Sequence, residues 1–317
     1  MNKEKDIPKI SVLVITYNQE DVIERALNSI LIQKEFVYEI IIGDDYSTDN
    51  NWNVISTYAS QHPEIIKPIR NEKNLGIFGN MENLYSIPTG DVIFWLAGDD
   101  TFCDGLFEKT IQTISEYKID FKNELFCIYF DYKMMYADGS SFIHSNKLTQ
   151  KNINLISLKI RQLISTRGTC YSVNVLKKFI PVRKDIGIYA DGLQDIQLQM
   201  FATHSYYVPF VANIYFVGIG VSRNTSVVEH YESMSKFFEE LRHFVKLTPN
   251  DDYYLRFCEE RVLLYISFSL KQLLKTFKYY ILGVDLSLGL QGFQISKIFF
   301  TLKRNIKNKI RKPNVKI

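Results

Sequence analysis

Through the first hundred residues, short apolar runs alternate with stretches in which apolar residues recur every three or four positions. This is the pattern of βαβ units feeding a mostly parallel sheet. Ile10-Ser11-Val12-Leu13-Val14-Ile15 predicts a first strand, and Val22, Ile23, Ala26, Leu27, Ile30 and Leu31 fall on one helical face, predicting a helix from Glu20 to about Gln33. A second strand is expected at Glu39–Gly43, then a helix from about Asn50 to Ser60 with Asp49 or Thr48 as its N-cap. Strands at Pro63–Ile69 and Asp91–Leu96, with a helix at Gly76–Ser86 between them, complete the series.

From Leu106 to about Thr225 the pattern is mixed. It predicts a helix near Leu106–Tyr117, strands near Phe126–Tyr136 and Thr169–Val173, and a helix near Asp195–Thr203, all continuing the same α/β domain. Beyond Val227 it turns helical: Phe237, Phe238, Leu241, Phe244 and Val245 share a stripe, and further helices are expected at Val262–Leu274 and Ile295–Ile310. The expected organisation is therefore one α/β domain over residues 1–225 and a helical C-terminal region over 226–317.

The chain has 317 residues, 46% hydrophobic and 23% charged, which is ordinary globular usage. Cys103, Cys127, Cys170 and Cys258 lie far apart with no Cys-x-x-Cys pair, so neither a zinc site nor a disulfide framework is indicated, and a reducing, cytoplasmic compartment is expected. No signal peptide is visible at the N-terminus, and no apolar run reaches the length that crosses a bilayer. The net charge of +3 is uneven: the last 21 residues hold eight Lys or Arg and no acid, and without those eight the charge is −5. An acidic body with a basic tail argues against nucleic acid as the partner. Ile295, Ile298, Phe299, Leu302, Ile306 and Ile310 share one face of the tail, with Lys303, Arg304, Lys307 and Lys309 around the others. Such a helix either lies on an anionic membrane or docks on its own domain.

Three polar clusters each follow a predicted strand: Thr16-Tyr17-Asn18, Asp44-Asp45 and Gly98-Asp99-Asp100. In open parallel sheets ligands sit outside the carboxyl ends of the strands. Asp99 and Asp100 offer two hard oxygen ligands to Mg²⁺ or Mn²⁺ while leaving positions for phosphate and water, although Gly-Asp-Asp is also good turn chemistry. Asp44-Asp45 precedes Ser47, Thr48 and Asp49; capping explains Ser47 and Asp49 but not the two buried-side acids, which suit a uracil N–H or a ribose hydroxyl.

Taken together, Ser11–Asn18, Ile42–Asp49, Asn74-Leu75-Gly76 and Leu96–Asp100 occur in the order and spacing of one family, and the chain resembles family 2 glycosyltransferases. The likeness is specific over the donor half, about 8–105, and weaker over the acceptor half, about 106–225. It implies a GT-A type, Rossmann-like nucleotide-binding sheet with a helical C-terminal extension, and transfer of a sugar from a nucleotide donor, expected to be UDP-linked, with inversion and with Mg²⁺ or Mn²⁺. It also implies that Thr16, Tyr17 and Asp45 contact the base, Asp44 supports that pocket, and Asp99 and Asp100 handle ribose and metal-diphosphate. Asn18, Gly76 and Asn80 complete the expected donor set.

Two departures stand out. Ala97 occupies the place of the first acid of the usual Asp-x-Asp-Asp, and Gly79-Asn80 replaces a frequent Ala-Arg-Asn. Gly192-Leu193-Gln194-Asp195 is similar to the family's Glu-Asp helix start, which makes Asp195 the expected general base and Asp191 its reserve; an ordinary N-cap is the structural alternative for Asp195. Thr166-Arg167-Gly168-Thr169 is expected to border the acceptor cleft, and Gly218–Arg223 to be a loop closing over it. The expected acceptor is a glycan or polyprenyl-diphosphate-linked oligosaccharide in surface polysaccharide synthesis, lipopolysaccharide or capsule, at the inner face of the membrane. Two other readings remain: a catalytically inactive relative that binds partners in a synthase complex, and a nucleotidyltransferase, which would want a Gly-rich basic loop that is missing near the first strand.

Overall fold

The computed structural model describes residues 6–145, 167–179, 186–187, 190–219, 227–266 and 269–282. The alternating apolar runs become β1 (Ile10–Thr16), β2 (Glu39–Asp44), β3 (Ile66–Arg70) and β4 (Val92–Ala97). The helical stretches between them become α1 (Ile23–Leu31), α2 (Asn51–Gln61) and α3 (Gly76–Leu84). The four strands pair in parallel in the order β3-β2-β1-β4. Both faces of the sheet are covered, which is why these runs are almost continuously apolar. Val12, Val14, Ile40, Ile42, Phe94 and Leu96 join Ile23, Ala26, Leu27 and Ile30 of α1 in one core, while Leu13, Ile41 and Ile93 are buried on the other face.

The chain continues through β5 (Thr101–Phe102), α4 (Leu106–Glu116), β6 (Phe126–Met135), β7 (Ser141–His144), β8 (Cys170–Ser172), the single turn α5 (Val173–Leu176), α6 (Ala190–Phe201) and β9 (His204–Phe216). The sheet extends to nine strands in the order β3-β2-β1-β4-β8-β6-β9-β5, with β7 on β6. The strand β8 runs antiparallel to β4 and to β6, and β9 runs parallel to β6. Most strands thus share one direction, as a mostly parallel sheet requires.

Three strands were not foreseen. The two-residue β5 is too short for any periodicity, and β7 closes a hairpin on β6 through Asp138-Gly139, with Gly139 at φ +81°. The thirteen-residue β9 is hidden by Pro209, which falls where the register with β6 slips between Phe130↔Val208 and Asp131↔Val211. A proline in a strand interior is tolerated at such a bulge and masks the strand in the sequence.

Beneath the sheet, at the end remote from the polar clusters, Glu39 is a buried node. Its carboxylate accepts from Ser11 Oγ at 2.7 Å, Thr89 N at 2.6 Å and Lys67 Nζ at 2.6 Å. Burial works to raise its pKa, but the hydrogen bonds from Lys67, Ser11 and Thr89 outweigh it and hold the carboxyl below the usual range. A depressed carboxylate stabilises the fold above its unfolded pKa, and that contribution fades as pH falls through the lower folded value. Glu39→Gln is therefore expected to lower the unfolding free energy by about 2–4 kcal/mol at neutral pH, measured by urea titration, with the gap between variant and parent closing below about pH 4.

Two compact units are distinguished. The first lies within 1–149, 165–184 and 194–223 and holds the sheet; the second takes 185–193 and 224 onward. In the second unit, α7 (Val227–Phe244), α8 (Pro249–Ile266) and α9 (Leu270–Leu282) follow one another. Thr248 caps α8: its Oγ accepts the Asp251 N–H at 3.2 Å and donates to the Asp251 carboxylate, with Pro249 at the first helical position. The single helix expected at Val262–Leu274 is two, because Ser269 starts a new one by accepting the Gln272 N–H on its Oγ at 3.1 Å. Among the described residues no helix is long and apolar enough to cross a membrane. The expected tail helix at Ile295–Ile310 lies outside the described residues.

Candidate functional site

The three polar clusters gather at the carboxyl ends of β1, β2 and β4, which are neighbours in the sheet. At the end of β1 the chain turns at Asn18, whose φ of +49° lies in the left-handed region where Asn is tolerated. The Asn18 side-chain oxygen Oδ1 accepts the Thr48 N–H at 2.8 Å, and the Asn18 backbone N–H donates to Ser47 Oγ at 2.9 Å. The Glu20 carboxylate accepts the Asn50 N–H, and Asp49 accepts the N–H groups of Glu20 and Asn51. The first and second loops are thus tied into one platform. Thr16 is buried, and Tyr17 is 41% exposed with its ring available above that platform. The N-cap of α2 is Asn50 rather than Asp49 or Thr48; Asp49, one residue earlier, accepts the Asn51 N–H at 3.0 Å.

The two acids after β2 play different parts. Asp44 is fully buried and accepts from Ser47 N at 3.0 Å and Asn51 Nδ2 at 2.8 Å, with Arg70 Nε at 3.4 Å. It holds the loop. Asp45 accepts from Asn71 Nδ2 and the Leu75 N–H, both at 2.8 Å and both on Oδ1. Asp45 therefore connects the platform to the segment leading into α3, where Gly76 sits at φ +75°. Asn80 is buried below: its amide donates to the Gly43 carbonyl at 2.8 Å and its Oδ1 accepts from Asn71 at 3.1 Å. A side chain at Gly43 would come within 2.7 Å of that Oδ1, so glycine and amide fit each other.

Past β4, Gly98 lets the backbone pass against Thr16 and Gln19; a Cβ there would lie 2.4 Å from Gln19 Oε1 and 2.9 Å from Thr16 Oγ1. This brings Asp99 and Asp100 next to the β1 loop, both buried. Burial, and then the neighbouring charge of Asp99, push the Asp100 carboxyl up to about 7, while Arg167, the Phe216 N–H and Arg25 oppose the rise. Burial likewise raises Asp99 against a hydrogen bond from Gln19. Two guanidinium groups flank the doublet. Arg25 donates to the Asp99 carbonyl at 2.6 Å and lies 3.5 Å over the Phe216 ring, and its buried Nε has no partner among the described residues. Arg167 lies 3.9 Å over the Tyr215 ring, with an Nη 3.9 Å from the Asp100 carboxylate. Gly168, at φ +71°, makes the turn that allows this approach.

The face of β4 that carries Trp95 is lined by rings. Trp95 Nε1 donates to the Tyr171 hydroxyl, and Tyr85 meets Trp95 edge to face at 6.1 Å. Gln194 of α6 donates to the Tyr85 hydroxyl, which brings this part of α6 against the same wall. Because α6 begins at Ala190, Asp195 lies in its second turn and is not an N-cap. Its side chain is half-buried, and its charge adds to the burial that raises the Tyr129 and Tyr171 hydroxyls. The side chain of Asp191, Thr166 and most of the loop at Gly218–Arg223 lie outside the described residues.

Two adjacent buried carboxylates, one pushed up to about 7 by burial and then by the charge of the other, are a fitting donor set for a hard dication. Among the described residues no group of three or more His, Cys, Asp or Glu gathers at one point. Asp99 and Asp100 would therefore share any such ion with phosphate and water. Sequence patterning did not single out Gln19 or Arg25, since Gln19 reads as an ordinary turn residue before the helix and Arg25 as an ordinary polar position within it, and only the fold brings them to Asp99.

The profile described as Glycosyl transferase family 2 matches residues 11–124. A Campylobacter jejuni GalNAc(5)-diNAcBac-PP-undecaprenol beta-1,3-glucosyltransferase is 29% identical over 110 residues, 35% of this chain and 36% of that protein. The fold is similar to that of S. aureus TarS 1-349 in complex with UDP-GlcNAc, with a TM-score of 0.62 at 17% identity, covering 95% of this chain and 89% of that one. It is also similar to the mannosyltransferase PcManGT from Pyrobaculum calidifontis in complex with GDP-Man and Mn²⁺, with a TM-score of 0.56 at 12% identity over 96% and 89% of the two chains. The chain spans about half the length of the first curated relatives it matches. The strand-end loops, the profile match and the fold agree: over residues 11–124 the chain is similar to glycosyl transferase family 2, and it has the GT-A fold.

Proposed function

We propose that the protein transfers a sugar from a nucleotide-sugar donor, UDP-linked, to a hydroxyl of a glycan or polyprenyl-diphosphate-linked acceptor, with inversion, in the synthesis of a surface polysaccharide. The observation that carries this reading is the buried Asp99-Asp100 pair at the end of β4, flanked by Arg25 and Arg167 and adjoining the platform formed by Thr16-Tyr17-Asn18 and Asp44-Asp45. The TarS complex with UDP-GlcNAc and the PcManGT complex with GDP-Man support a nucleotide-sugar donor.

In this reading the Tyr17 ring and Asp45 receive the base, with Asp44 and Asn80 holding the loops beneath it and Gly76 leaving room at the start of α3. Asp99 serves the ribose, and Asp99 and Asp100 hold Mg²⁺ or Mn²⁺. When bound, that ion supplies Lewis-acid stabilisation of the charge on the departing diphosphate. Arg25 and Arg167 add fixed positive charge at the same place. Asp195 takes the proton of the acceptor hydroxyl as its oxygen bonds to the anomeric carbon and the bond from that carbon to the diphosphate breaks on the opposite side. The Trp95 and Tyr85 rings next to α6 suit the apolar face of an acceptor sugar. The basic segment at 293–317 is the proposed contact with an anionic membrane at the cytoplasmic face, where a lipid-linked acceptor would be met.

Calorimetric titration with a panel of nucleoside diphosphates, with and without Mn²⁺, tests the donor site. UDP is expected to bind, and to bind at least tenfold more tightly with the ion present. If no nucleotide binds in a metal-dependent way, the reading fails.

A further inference from the structure

Helix α9 carries an apolar stripe that the second unit leaves uncovered. Leu274, Phe277 and Ile281 recur at helical spacing and are 63%, 38% and 67% exposed. Burying them against the unit would be the ordinary outcome, since a helix normally turns its apolar face inward. Instead α9 spends a different face on α8: the Tyr279 ring stacks on Tyr253 at 6.4 Å, Tyr280 meets Phe257 at 5.7 Å, and Thr276 is fully buried.

Charge states what covers the exposed stripe. The segment Leu270–Leu282 contains Lys271, Lys275 and Lys278 and no acid. Lys275 is engaged by Glu260, while Lys271 and Lys278 are exposed beside the stripe, with no acidic partner among the described residues. On a helical projection the two lysines lie along one border of the Leu274-Phe277-Ile281 stripe. A cleft of about 470 Å³ opens between α8 and α9 on this border, lined by Tyr253, Lys278 and Tyr279 and by Asp252, whose carboxylate is paired with Arg256 at 2.8 Å. Apolar side chains edged by Lys271 and Lys278, next to a cleft with two rings, match an interface that is apolar below and anionic above.

We infer that the exposed face of α9 is a membrane-docking surface, in which Leu274, Phe277 and Ile281 enter the acyl boundary of an anionic bilayer while Lys271 and Lys278 rest on lipid phosphates. This surface is separate from the basic tail, and it does not depend on the proposed transfer reaction, because lipid binding is measured without turnover.

The test is flotation of the full chain with vesicles of phosphatidylcholine, with and without phosphatidylglycerol. The parent is expected to float with the anionic vesicles and to be released by salt. Lys271→Gln with Lys278→Gln should weaken binding by roughly tenfold or more, at about one kcal/mol per lysine near the surface. Leu274→Ser, Phe277→Ser and Ile281→Ser together should weaken it at least as much. All five positions are exposed, so circular dichroism and the unfolding temperature should match the parent. Anionic-vesicle binding unchanged in both variants would overturn the inference, as would failure of the parent to float. A self-association seen by sedimentation and abolished by the serine variant would overturn it too, by making the stripe a contact between copies.

Discussion

Asp100→Asn is expected to lower kcat/KM by a factor on the order of 10³ or more, to abolish the gain in UDP affinity expected with Mn²⁺, and to leave the fold intact. Keeping two carboxylates buried side by side is costly. The Asp100 carboxyl is pushed up to about 7 by burial and by the Asp99 charge. A carboxyl raised in the folded state favours the protonated fold. The ion-free protein is therefore most stable, in this respect, below the ordinary aspartate range, and loses that stability as pH rises through about 7. Asparagine carries no charge at any pH and escapes this loss. The ion-free variant should therefore equal or exceed the parent in unfolding temperature at pH 8 and show a flatter pH dependence between 5 and 8, read by calorimetry. Mn²⁺ should raise the parent's unfolding temperature, more so above pH 7, and leave that of Asp100→Asn unmoved. A variant that unfolds at lower temperature across the whole range would instead mark Asp100 as a purely structural acceptor for the Phe216 N–H, 3.2 Å away.

Asp195→Asn is the second large effect. Loss of general base catalysis costs a factor on the order of 10²–10⁴ in turnover, and here it should fall on kcat with nucleotide affinity preserved. Asp195 is half-buried in the second turn of α6, next to Gln194, which the Tyr85 hydroxyl fixes against the ring-lined wall of β4. None of the donor-side hydrogen bonds described above involves α6. Calorimetry with UDP and Mn²⁺ should therefore give the same dissociation constant for parent and variant. Turnover at the parent's level would move the proton acceptor to Asp191 or elsewhere, while weakened UDP binding would place Asp195 in the donor pocket.

The donor half was legible because its elements are local and repetitive. Each strand-loop-helix unit between Ile10 and Ala97 carries its own apolar period, and the three polar clusters sit where those periods break. What escaped is what depends on residues far apart in sequence. Arg25, Gln19 and Arg167 converge on Asp99 and Asp100 only through sheet topology, and the strand that brings Tyr215 and Phe216 beneath the two arginines is the one that Pro209 and a bulge conceal. Asp44, Asn18 and Asn80 read from the sequence as groups facing a ligand. In the fold, many of their polar atoms are engaged in tying loops together, a distinction that spacing cannot draw.

The four charged groups around the end of β4 have one more consequence. Above about pH 7, with Asp100 ionised beside Asp99, two carboxylates and two guanidiniums sum to no net charge, so the site by itself exerts little pull on a bare dication or on a bare diphosphate. A pair of ligands whose own charges cancel meets no such indifference, since each half finds its opposite already in place. Donor and ion are thus expected to bind synergistically, the site discriminating against either one presented alone.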